Sequence, residues 1–100
     1  MSERHVVVRY KVKPERVEEH EALIRDVFTD LTAARPAGVD YQAMKLEDGV
    51  SFVHVAKITT TDGKNPLTER ASFKAFTANI GERCDEKPVS STVATAFVVG

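Results

Sequence analysis

Between Val50 and Thr60 the chain carries apolar residues on both phases of a two-residue period. One phase reads Val50, Phe52, His54, Ala56 and Ile58, the other Ser51, Val53, Val55, Lys57 and Thr59. Successive side chains of a β-strand point to opposite faces, so a strand substantially apolar on both phases needs cover on both sides of its sheet. One layer of helices covers one side. The other side needs a second partner, and this requirement limits the architecture more than any other feature of the sequence.

The rest of the chain supplies the helices. From Arg4 to Val12, Val6, Val8, Tyr10 and Val12 alternate with His5, Val7, Arg9 and Lys11, which predicts a first strand. Lys13-Pro14 ends it, and proline suits the first turn of a helix, where the amide it lacks would be unpaired. Across Glu15 to Arg35, Val17, His20, Ile24, Val27, Phe28, Leu31 and Ala34 recur at three- and four-residue steps, predicting an amphipathic helix stopped by Arg35-Pro36-Ala37-Gly38. Val39 to Leu46 and Val50 to Thr60 form a predicted hairpin about Glu47-Asp48-Gly49. Thr61 to Pro66 is a loop, with Asn65-Pro66 placed to cap a short helical turn through Arg70. A second helix is expected over Ser72 to Cys84, with Phe73, Phe76, Ile80 and Cys84 on one stripe, and a β-branched fourth strand over Val89 to Val99.

The order β-α-β-β-α-β predicts a ferredoxin-like α+β fold, a four-stranded antiparallel sheet with two helices on one face, as a single domain spanning residues 1–100. A second copy packed sheet against sheet is the economical cover for the remaining apolar face, so a homodimer is expected. Composition narrows the function. Fourteen basic and 15 acidic side chains leave a net charge of −1, with no positive field to hold nucleic acid or an anionic membrane. The apolar runs fall far short of the ~20 residues that span a bilayer, and Met1 to His5 leads straight into the first strand, so neither anchor nor signal peptide is expected. The one cysteine, Cys84, can form no internal disulfide and fits a reducing cytoplasm.

The element order, the Val12-Lys13-Pro14-Glu15 entry to the first helix, Asn65-Pro66-Leu67, and Ser72-Phe73-Lys74-Ala75-Phe76 with Ile80 and Arg83-Cys84 resemble the antibiotic biosynthesis monooxygenase family of the dimeric α+β barrel superfamily. The resemblance spans nearly the whole chain. It implies a dimer enclosing a small apolar cavity, which some members use to oxygenate phenols or quinols with no metal or flavin. The haem-degrading branch relies on an asparagine in the first strand, a tryptophan in the third and a histidine in the second helix. Residues 4–12 hold no asparagine, the chain has no tryptophan, and the second helix carries Asn79 where the histidine would stand.

His54 is the strongest candidate for chemistry. Beside a cavity, its imidazole would take the phenolic proton that a substrate must lose before passing an electron to oxygen; in the core, it would be a histidine satisfied by a hydrogen bond. Arg83 falls seven residues after Phe76 on nearly the same helix face and would steady an oxyanion, or else form a surface ion pair with Glu82, Asp85 or Glu86. Tyr41 and Tyr10 offer hydroxyls to a polar ligand group, or else keep their rings in the core and their tips wet, and Asn79 offers its amide to a ligand carbonyl or equally to the backbone. Phe52, Phe73 and Phe76 would serve as core anchors or as walls for a flat aromatic ligand. Cys84 reads as a buried structural thiol. His5, His20 and His54 are too scattered for a metal site, with His20 packed on the first helix face, and neither Ser90-Ser91-Thr92 nor Asp62-Gly63-Lys64 has a phosphate-binding framework. The expectation is therefore a cofactor-independent monooxygenase of a small phenolic or quinol-type molecule, or, in the alternative, a non-catalytic binding or structural dimer of the same fold.

Overall fold

The computed structural model describes residues 2–99. Strand β1 spans Ser2–Val12, helix α1 Val17–Ala34, β2 Val39–Lys45, β3 Ser51–Thr60, α2 Ala71–Thr77 and β4 Cys84–Thr92. The strands form one antiparallel sheet in the order β2-β3-β1-β4. The fold is the ferredoxin-like α+β arrangement that the sequence predicts, with β1 and β3 in the centre.

Pro14 opens a single 3-10 turn, Pro14–Arg16, before α1 begins. The helix ends where Arg35 takes a left-handed conformation (φ 43°) and its amide donates to the Leu31 carbonyl at 2.8 Å, which satisfies one of the terminal acceptors. Gly38 follows with φ 79° and hands the chain to β2 through a bond from the Thr59 amide to its carbonyl, 2.8 Å. The Asn65 side-chain oxygen accepts from the amides of Leu67 (2.9 Å) and Thr68 (3.2 Å), the cap expected there. Asp30 of α1 then accepts two bonds from Arg70, at 3.0 and 2.6 Å, and a third from Ser72, so the loop before α2 is tied to α1.

The pairing register fixes which side chains share a face. Tyr10 lies opposite Phe52, Val8 opposite His54, and Val6 opposite Ala56, which in turn lies opposite Tyr41 of β2. These residues share the face that the helices cover. Tyr10, Val12, Val27, Phe52, Phe76 and Cys84 form its buried core. Burial of each large apolar side chain there contributes about 1.5–3 kcal/mol. The opposite phase puts Val7, Val53 and Val55 on the other face, half-buried, with Val89 beside them 66% exposed. A depression of about 420 Å³ lined by Val7, Arg9, Lys11, Leu46, Glu86 and Val89 runs along this face.

Two elements depart from expectation. The second helix does not run from Ser72 to Cys84. It stops at Thr77, Asn79 turns left-handed (φ 57°), and a 3-10 turn, Ile80–Arg83, replaces its second half. Asparagine tolerates that conformation better than other side-chain-bearing residues. Arg83 captures the Phe76 and Ala78 carbonyls that a continuing helix would have used. The fourth strand also lies earlier than Val89 to Val99. It begins at Cys84 and ends at Thr92, and Pro88 is tolerated within it because β4 is an edge strand whose register slips between Arg9 and Lys11 of β1. After the Val93 amide bonds to the His5 carbonyl the chain leaves the sheet, and Phe97, Val98 and Val99 lie 95%, 88% and 99% exposed. β-branched composition alone cannot make a strand where no neighbour receives its amides. Among the described residues no helix is long and apolar enough to cross a membrane.

Candidate functional site

Between the covered face of the sheet and α2 lies a partly open cavity of about 320 Å³. Its walls come from Val6, Val8 and Tyr10 of β1, Tyr41 of β2, His54, Ala56 and Ile58 of β3, Leu67, Phe73, Phe76 and Ile80. Small-molecule sites are of this kind, about 300–1,000 Å³, mostly apolar with a few placed polar groups. Arg4, Asn65, Thr68, Thr77, Pro88, Ser90 and Thr92 complete the lining, so it carries polar side chains besides His54, Tyr10 and Tyr41.

Tyr10, Tyr41 and His54 belong to a line of hydrogen-bonded side chains drawn from five segments. The Tyr41 hydroxyl bonds to His54 Nδ1. Tyr10 Oη lies 2.7 Å from His54 Nε2 and 2.6 Å from His20 Nε2. Arg83 Nε donates to His20 Nδ1 at 3.1 Å, and the guanidinium is anchored by donating also to the carbonyls of Ala78, at 3.0 Å, and Phe76. No buried side-chain polar atom of the described residues lacks a partner. Such satisfaction is required here, since a polar group left unpaired in an apolar interior costs about 1–3 kcal/mol.

Aromatic rings hold the line in place. Tyr10 stacks on Phe52 with centroids 5.6 Å apart, Tyr41 on Phe28 at 5.1 Å, and His54 on Phe76 at 5.5 Å. Burial sets the charge states. It pushes the His54 imidazole down to about 4. His20 is likewise pushed down to about 4, by burial first and then by the Arg83 and His54 charges. Both tyrosine hydroxyls are pushed well above their ordinary value, chiefly by burial. At neutral pH the line therefore consists of two neutral imidazoles and two neutral phenols ending on one cation.

Of the residues singled out in the sequence, His54, Tyr41, Phe73 and Phe76 come together on the cavity wall. His54 is both core and cavity residue: it is 4% exposed, lines the cavity, and has each ring nitrogen taken by a tyrosine. Arg83 is buried instead of lying in a surface ion pair, and it touches the far end of the line instead of the cavity. Phe52 sits behind Tyr10, outside the cavity lining, as a core anchor. Asn79 is exposed at the left-handed turn and is not part of the wall. Cys84 is buried and unpaired, and burial raises its thiol above the ordinary range. The site residues underweighted in the sequence are Tyr10 and His20. The available signal was that each polar group sits on an apolar stripe, where it must find a partner. Among the described residues no three His, Cys, Asp or Glu side chains gather as a metal site.

Comparison with known proteins bears on the fold. No protein-family model matches the chain, and no curated protein does. Solved structures do match in fold. The structure of Rv0793 from Mycobacterium tuberculosis superposes with a TM-score of 0.77 at 17% identity, covering 99% of this chain and 100% of that one. A structure named antibiotic biosynthesis monooxygenase gives 0.75 at 14% identity, covering 94% and 99%. SnoaB, a cofactor-independent oxygenase from Streptomyces nogalater, gives 0.63 at 18% identity, covering 97% and 98%. The chain thus has the fold of the antibiotic biosynthesis monooxygenases over almost its full length.

Proposed function

We propose that the chain is an oxygenase of the antibiotic biosynthesis monooxygenase type, acting without a cofactor on a small phenolic or quinol-type substrate as a homodimer joined through its outer sheet faces. The observation that carries this reading is the largely apolar cavity whose wall holds a neutral imidazole bracketed by two tyrosine hydroxyls. The oxygenase fold of SnoaB supports it.

Phe73 and Phe76 flank the space for a flat ring, and Tyr41 meets the ring's oxygen. A naphthol-type substrate loses its phenolic proton to water at the open side of the cavity, and the resulting anion is steadied by the Tyr41 hydroxyl. The anion passes one electron to dioxygen, the two radicals join as a carbon-bound peroxide at the position para to the oxygen, and loss of water leaves the quinone. One dioxygen thereby yields one new carbonyl oxygen and one water, with two hydrogens removed from the substrate. Stabilising the anion where charge develops is the contribution expected of such a site.

The test is oxygen uptake with a panel of quinols and naphthols, comparing native protein with His54→Ala. Turnover that is lost in the variant supports the reading. Binding of the same compounds without oxygen uptake by native protein would leave a non-catalytic binding protein of this fold.

A further inference from the structure

We propose that Arg83 sets the direction of every hydrogen bond in the buried line, so that the Tyr41 hydroxyl presents its hydrogen to the cavity and the site selects an acceptor oxygen, a quinone carbonyl or a phenolate, over a neutral hydroxyl or a bare arene. The ligand half of this inference rests on the cavity being the substrate site; the proton order does not.

A guanidinium has donors and no acceptor. Arg83 Nε, 3.1 Å from His20 Nδ1, therefore requires a lone pair on that nitrogen. A neutral His20 then carries its hydrogen on Nε2 and donates it to Tyr10 Oη, 2.6 Å away. Tyr10 has one hydrogen, and its remaining neighbour is His54 Nε2 at 2.7 Å, so that nitrogen accepts. His54 in turn carries its hydrogen on Nδ1 and donates it to the Tyr41 oxygen. Among the described residues Tyr41 has no further hydrogen-bond partner, and its own hydrogen is left for whatever occupies the cavity. The opposite order would set a hydrogen on His20 Nδ1 against the Arg83 N–H. Successive bonds running one way polarise each other, so the charge at Arg83 strengthens the donor at Tyr41.

Arg83 is thus a positioning residue, and its effect is readable without any turnover. Long-range ¹H–¹⁵N spectra of the native protein at neutral pH should show the hydrogen of His20 on Nε2 and that of His54 on Nδ1. Finding the His54 hydrogen on Nε2 would overturn the proposal. Arg83→Met should release both preferences; because that variant also loses the bonds to Phe76 and Ala78, Tyr10→Phe provides a second cut in the same line and should release that of His54. A His54 preference that persists in Tyr10→Phe would count against it.

For the ligand, 4-nitrophenol is the probe, since absorbance separates phenol from phenolate. A charge-assisted bond from Tyr41 should favour bound phenolate over phenol by roughly tenfold or more relative to Tyr41→Phe. The same preference in native protein and Tyr41→Phe would remove the ligand half. Neither readout consumes oxygen, so failure of the oxygenase reading and failure of this one are separable.

Discussion

Phe28 lies flat against Tyr41, ring centroids 5.1 Å apart and planes within 9° of parallel. One ring belongs to α1 and the other to β2, so a helix fixes the orientation of the strand hydroxyl that ends the buried line. Stacked aromatic pairs contribute about 0.5–1.5 kcal/mol beyond area burial. Phe28→Leu, which keeps most of the volume, should lower unfolding free energy by about 1 kcal/mol. It should also weaken binding of 4-nitrophenolate, measured by absorbance titration alongside urea denaturation. Unchanged binding would show that Tyr41 is held by His54 alone.

Acid should destabilise the fold in a definite window. His20 and His54 each fall from an ordinary 6.5 to about 4 in the folded chain. Above pH 6.5 both states hold them neutral and they contribute no pH dependence. As pH falls from 6.5 towards 4 the unfolded chain takes up protons that the folded one refuses, and stability drops by about 1.4 kcal/mol per pH unit for each histidine. Urea midpoints followed between pH 7 and 4 should decline more steeply for native protein than for His54→Gln. Parallel curves would mean that His54 is protonated in the fold.

Gly38 and Gly63 separate two uses of glycine. Both have φ 79°, but a Cβ at Gly38 would collide with the Thr59 carbonyl oxygen, whereas one at Gly63 meets nothing within 4 Å. Gly63→Ala should cost about 1–2 kcal/mol, the strain of a left-handed backbone. Gly38→Ala should cost clearly more, because the β2–β3 pairing has to shift. Equal urea midpoints for the two variants would contradict the close approach.

The outer face supplies the dimer test. Val53 and Val55 sit in the central strand and are half-buried in the single chain. Val55→Lys should convert a dimer to monomer in sedimentation at micromolar concentration without altering the far-ultraviolet spectrum, since a lone charge in a sheet-to-sheet contact costs several kcal/mol. A native protein that sediments as a single 11.0 kDa chain would dismiss the dimer outright.

Strand and helix order was legible because hydrophobic period is local, and β3 announced its central place through its two apolar phases. The break at Asn79 was not. Phe76, Ile80 and Cys84 keep helical spacing straight through it, while the cause is Arg83 folding back onto the Phe76 and Ala78 carbonyls. β4 was misplaced for the reverse reason: Cys84 to Thr92 is polar and contains Pro88, and only the β1 edge makes it a strand. In the site, His54, Tyr41, Phe73 and Phe76 could be named from faces and stripes. The roles of Tyr10 and His20 depend on how α1 crosses β1, which no spacing along the chain encodes, and Asn79 fell away with the helix that was to carry it.

Because the polar line takes one residue each from β1, α1, β2, β3 and the turn before β4, it has no half-formed version. Fraying of the chain around Arg83 would loosen the other end of that line, at Tyr41. If the proposed site binds 4-nitrophenolate, that binding and slow amide exchange at the Ile80 turn should rise and fall together, making the probe a reporter of the whole fold's integrity.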